Sequence, residues 1–214
     1  MSFQTIFNIQ QSMTVNNRRT IGQMYSRSGQ MTVAQYLTTV PWVFTVVPHN
    51  YLYYPQVRDV IQTIDNLDRQ NTETITFNNA NLSWFTEYRG DASSTPTGIQ
   101  INTQPAANAT TLVLKTLPTM SSSAYLFRAG DFIMVSGYTY KITADVLRGA
   151  GSTVSVGIHR PVIGTPAVNT AVSCGANCTF TVIAEQCPTY TLTPMTNGAF
   201  VNWDNSFVFR EYIV

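Results

Sequence analysis

FRAGDFIMVSGYTYKITADV, residues 127 to 146, packs turn and strand signals closely together. Arg128-Ala129-Gly130-Asp131 has turn chemistry, because glycine accepts positive φ and an aspartate can bond nearby backbone amides. An apolar run follows from Phe132, Gly137 interrupts it, and Tyr138, Tyr140 and Ile142 then alternate with polar neighbours. Alternation with period two is the pattern of a half-buried strand. The stretch therefore predicts a compact hairpin, with Phe132 and Tyr140 facing a shared small core. It is either the heart of a small β-barrel attached to a host β domain or one hairpin of a continuous sandwich.

The same texture extends on both sides. Downstream, Val154, Val156 and Ile158 alternate after the Gly149-Ala150-Gly151 turn, and Phe180 and Val182, Tyr190 and Leu192, and Phe207 and Phe209 mark further strands. Upstream, Trp42, Phe44 and Val46 alternate after Pro41, and strands are expected near 73–77 and 82–88. One helix signal stands out. Pro55 suits a first helical turn, and Val57, Val60, Ile61, Ile64 and Leu67 recur at helical spacing over 55–69, with Arg58, Asp59, Gln62, Asp65 and Arg69 on the other face. Many short strands with frequent turns and one amphipathic helix place the chain in the mainly β class. Residues 1 to about 40 are polar and weakly periodic, and read as an extended arm or long hairpin that gains order against a neighbour.

Composition agrees. Of 214 residues, 44% are hydrophobic but only 11% are charged, against about 25% in an ordinary soluble domain. Such a surface is expected to be covered largely by neighbouring subunits. The net charge of +1 gives no broad basic field for sequence-specific nucleic acid. No apolar run reaches the roughly 18 residues of a membrane span, and the opening MSFQTIFNIQQ lacks the pattern of a signal peptide.

Catalytic vocabulary is thin. His49 and His159 each stand alone in sequence, and neither a nucleophile elbow nor a phosphate loop is present. A hydrolase would need His49, His159 and a cysteine gathered in one pocket. Cys174, Cys178 and Cys187 are expected to be reduced thiols, since no second close pair completes a zinc site. No enzyme activity and no cofactor are expected. The candidate interaction residues are Arg18, Arg19 and Arg27, a local basic patch, and Tyr51, Tyr53 and Tyr54, clustered in one turn. The arginines suit subunit contacts or solvent, and the tyrosines suit packing, a protein contact or a sugar or base platform.

The segment YLFRAGDFIMVSGYTYKITADV, followed by STVSVGIHRPVI, resembles a cassette of tailed-bacteriophage tail proteins. The matching positions are Phe127, Ala129, Gly130, Asp131, Phe132, Ile133, Gly137, Tyr140, Ile142, Thr143, Ala144, Asp145, Val146, Arg160 and Pro161. The order around them agrees: the PWVFTV strand, a helix ending Leu-Asp-Arg, and a closing F-x-F-x-E strand at Phe207, Phe209 and Glu211. The likeness covers most of the chain from Thr39 and points to the tube-initiator or distal-tail (baseplate hub ring) family. It implies a tail-tube-type β-sandwich or barrel with one flanking helix, over 1–102 and 177–214. An inserted small β-barrel would occupy 103–176. It further implies a structural virion protein, assembled in the host cytoplasm, that forms a ring, expected to be a hexamer, against tail tube, hub or baseplate proteins. Two other roles stay open: a carbohydrate- or receptor-binding β-module of a virion, and a neck or tail-completion protein.

Overall fold

The computed structural model describes residues 3–18, 21–25, 27, 29–35, 40–67, 71–79, 81–196 and 198–214. The chain divides into two compact units: residues 1–17, 41–75 and 180–214 form the first, and 18–40 with 76–179 the second. Both are mainly β, as the alternating sequence requires.

The first unit is built on a five-stranded sheet, ordered Gln10–Asn16, Val43–Pro48, Phe207–Glu211, Thr179–Gln186 and Thr72–Thr76. Phe44 lies opposite Phe209 and Val46 opposite Phe207, so the alternating apolar residues of both strands reach one face. There they meet helix α1, Phe3–Asn8, whose Phe3, Ile6 and Phe7 are buried. Phe3 and Phe7 stand 5.0 and 5.1 Å from the Phe209 ring, and Phe7 meets Phe44 edge-on. Each such burial contributes about 1.5–3 kcal/mol. Residues 3–16 are therefore a helix and an edge strand of the first unit, not an arm. The sequence looked irregular because a two-turn helix is too short to display a period. Glu211, the last residue of F-x-F-x-E, is buried, and its Oε2 accepts the Trp42 N–H at 3.0 Å.

Helix α2, Tyr54–Leu67, lies in the same unit and buries Val57, Val60 and Ile61. Val57 and Ile61 meet Val201 of a second, three-stranded sheet ordered Tyr190–Met195, Gly198–Trp203 and Leu52–Tyr53. The expected end of the helix, at 68–69, lies outside the described residues.

The second unit has one apolar core shared by three small sheets. They are Gln100–Thr103, Thr111–Lys115 and Thr153–Gly157; Tyr138–Lys141, Phe132–Val135 and Val172–Cys174; and the pair Tyr125–Phe127 and Val146–Leu147. The described strands do not close into the barrel expected for 103–176. The boundary also differs, because Ile99 and Ile101 lie in this core and Gln100–Thr103 pairs with Thr111–Lys115. A hairpin of Ile21–Tyr25 and Met31–Gln35 falls in this unit too.

The strand expected at 82–88 is instead the short helix α3, Ser83–Thr86. Asn79 turns the chain there: its Oδ1 accepts the N–H groups of Asn81 and Leu82, at 2.9 and 3.0 Å. Phe85 is then held between Phe77 and Phe132, at 4.9 and 5.0 Å. Local side-chain bonding of this kind competes with a strand ladder.

Candidate assembly surfaces

The 127–146 stretch is a hairpin. Val135 lies opposite Tyr138, leaving Ser136 and Gly137 as a two-residue loop with φ of 51° and 83°. Such positive values are what the favoured hairpin turns demand. Ile133 pairs with Tyr140 and Phe132 with Lys141. Side chains alternate across a strand, so Tyr140 joins Ile133 in the core while Phe132 faces the other way, onto Phe85. Phe132 and Tyr140 do not share one core.

Asp131 explains the turn that precedes the hairpin. Its carboxylate is buried and accepts two backbone N–H groups, from Arg89 at 3.0 Å and Arg128 at 2.9 Å. Burial pushes its carboxyl above the ordinary value, against the lowering effect of those bonds. Arg89-Gly90-Asp91, which spells an integrin-recognition tripeptide, is committed to the same structure. A Cβ on Gly90 would fall 2.1 Å from Tyr88 Oη and 2.5 Å from the Leu126 carbonyl. Asp91 accepts the Tyr125 N–H at 2.8 Å and pairs with Arg128 at 3.1 Å. These two partners hold its carboxyl below the ordinary value. Arg160 is also buried, donating to the carbonyls of Val40 and Thr139 at 2.6 and 2.9 Å beside the Tyr140 ring.

His159 Nδ1 accepts the Lys141 N–H at 3.0 Å, and His49 is exposed in the first unit. Cys174 and Cys178 are buried free thiols whose ionisation burial opposes, with Cys174 pushed up to about 12 and Cys178 raised further. Cys187 is in no disulfide and is half-buried. Among the described residues, no group of three or more His, Cys, Asp or Glu side chains could hold a metal ion. No described helix is long and apolar enough to cross a membrane.

Two groups of exposed apolar residues stand out. In the first unit, cross-strand register puts Tyr53 and Thr193 on either side of Phe200, on one face of the small sheet. Tyr53 and Tyr51 meet the Phe200 ring edge-on, at 6.3 and 6.2 Å, and the Tyr51 N–H donates to Asn202 Oδ1 at 2.7 Å. Tyr51, Tyr53 and, in the outer strand, Met195 are exposed. Every residue of Tyr190–Met195 is exposed. Beside its first residue lies a cleft of about 410 Å³, lined by Ile61, Ile64, Asp65, Cys187, Tyr190 and Trp203. Ile64 is half-buried at this cleft, and Leu192 in the strand is exposed. The strand is an edge, but Pro194 guards it. Met195 opposite Gly198 closes a two-residue loop, which makes 194–199 a non-hydrogen-bonded pair whose backbone groups face outward. Proline at that position offers no N–H to an incoming strand.

In the second unit, the hairpin of Ile21–Tyr25 and Met31–Gln35 carries exposed Tyr25, Arg27 and Met31 around its turn. Of the six residues singled out from sequence, Arg18 and Arg27 are exposed and belong to this unit, and Arg19 lies outside the described residues. Tyr51, Tyr53 and Tyr54 belong to the first unit. Tyr54 is half-buried against the core under α2, and only Tyr51 and Tyr53 join the aromatic face. Sequence reasoning missed Phe200, Leu192 and Met195. Alternation implies a buried face, and nothing local announces a strand with both faces open.

A comparison with protein-family models finds no match, and neither does one with curated proteins.

Proposed function

We propose that the chain is a structural subunit of a tailed-bacteriophage tail, forming a homo-oligomeric ring where the tail tube meets the baseplate or distal hub. The observation that carries this reading is the resemblance of the 127–146 cassette to those tail proteins. Its Ala129-Gly130-Asp131 core has a purely architectural use here, since Asp131 clamps two segments of backbone. Low charge and the exposed apolar residues of the Ile21–Gln35 hairpin and the small sheet favour a chain whose surface is completed by neighbours. A ring subunit works through shape and contact, so this role involves no catalysis. Ring closure follows when one patch meets a different patch on the next copy at an angle that returns to the start.

The test is electron microscopy of the purified chain, alone and mixed with tube and hub proteins of the same particle. Closed rings of uniform diameter are the expected result. A monodisperse monomer that joins none of these components at tens of micromolar would overturn the reading.

A further inference from the structure

We infer that the second unit carries a binding groove for a neutral oligosaccharide beside Trp84, independent of whether the chain forms rings. Trp84 is 59% exposed, which alone means little, since single exposed hydrophobic residues are common. What sets this one apart is how it is held. Its indole N–H donates to the Asn81 carbonyl at 2.9 Å, and its ring meets Phe85 edge-on at 6.0 Å. Phe85 is itself fixed against Phe77 and Phe132. The indole is thus positioned by the core, its polar atom is already used, and it offers a ligand only a π face.

That face borders a groove of about 480 Å³, lined among others by Ser83, Glu87, Tyr88, Ser94 and Thr95. Tyr88 forms a firm wall, because its hydroxyl donates to the Leu126 carbonyl and Gly90 packs beneath its ring. Burial raises the Tyr88 hydroxyl to about 12, so it stays neutral. Residues 92–95 form a ridge that also borders a second depression of about 390 Å³, with Thr97 and Thr119 on its far side. The segment leading into the ridge is anchored by the bonds of Asp91 to Tyr125 and Arg128.

The lining chemistry selects the ligand class. Serine and threonine hydroxyls donate and accept equally well, as sugar hydroxyls do. A fixed aromatic face suits the C–H-rich face of a pyranose ring, and few, placed polar groups around an aromatic wall are the usual make-up of a ligand site. No residue lining the groove is basic, and Glu87 stands at its edge, which disfavours anionic glycans. Two depressions sharing one ridge fit an oligomer better than a single sugar.

The experiment is a screen of the whole chain against neutral hexose, deoxyhexose and N-acetylhexosamine oligomers, with uronic-acid oligomers and an oligo-lysine peptide as further arms. Hits are followed by calorimetry and tryptophan fluorescence. Saturable binding of a neutral oligomer is expected, weakened at least tenfold by Trp84→Ala and partly retained by Trp84→Tyr. Ser94→Arg, which fills the groove while keeping the indole, should abolish it and serves if Trp84→Ala fails to fold. Absence of binding by every neutral oligomer, preference for the acidic or lysine arms, or equal binding by folded Trp84 and Ser94 variants would overturn the inference.

Discussion

Arg89 donates its backbone N–H to Asp131 across forty-two residues of chain, at 3.0 Å. The other carboxylate oxygen takes the Arg128 N–H. One buried side chain therefore fixes both the turn into the hairpin and the segment that precedes the Trp84-side ridge. Asp131→Ala leaves two part-buried N–H groups without this acceptor, each costing about 1–3 kcal/mol. Chemical denaturation should show the second unit destabilised by about 2–5 kcal/mol. A loss below about 0.5 kcal/mol would show that the clamp is not structural.

Asp91 gives a pH-dependent prediction. Its folded pKa lies below the ordinary value because it accepts the Tyr125 N–H and pairs with Arg128. The stabilisation is then present above the unfolded-state value of about 3.9 and is lost as pH falls through the lowered folded value. Asp131 acts oppositely. Its raised pKa means that stability falls as pH rises from about 3.9 through the folded value. Asp91→Asn should flatten the acid-side loss of stability below about pH 4. An unchanged acid limb in that variant would count against the pairing.

Much of this fold is legible in the sequence where the periodic signal is long or the turn chemistry explicit. Val57, Val60 and Ile61 show the buried stripe of α2, and Ser136-Gly137 with the flanking apolar alternation shows the hairpin. Failures fall where a tertiary contact overrides local pattern. Phe85 and Asn79 convert an apparent strand at 82–88 into a helical turn. Phe3, Ile6 and Phe7 look scattered until their helix meets Phe44 and Phe209, which lie far along the chain. The exposed faces are the least legible. Leu192 and Met195 sit in an ordinary alternating strand that is exposed along its whole length.

Ile61 faces the apolar cluster with Val57 and Val201. Ile61→Asp would place a charge there without a partner, costing about 3–5 kcal/mol. Ile64→Asp, at the half-buried cleft wall, should cost less than half as much. Thermal unfolding compares the two, and equal melting temperatures would contradict the assigned faces.

The three thiols should separate by reactivity. Burial suppresses the thiolates of Cys174 and Cys178 at pH 8, and both are shielded. Iodoacetamide followed by mass spectrometry should label Cys187 first, with the other two reacting only on unfolding. Comparable rates at all three in the native protein would refute the burial of the pair.

Two parts of the N-terminal region should respond oppositely to change. Deleting residues 2–16 removes α1 and an edge strand of the five-stranded sheet, exposing Phe44 and Phe209, so the first unit should not fold. The Ile21–Gln35 hairpin differs, because Tyr25 is 69% and Met31 50% exposed, with Arg27 exposed between them. The triple variant Tyr25→Ser, Arg27→Glu, Met31→Ser should change stability by no more than about 0.5 kcal/mol. Under the ring proposal it should also lose assembly, because it removes two apolar contacts and reverses a charge at a single patch. Light scattering and electron microscopy read assembly, while calorimetric unfolding reads the fold. A stable variant that still forms rings would show that the hairpin is not a subunit contact, and an unfolded one would place it in the core.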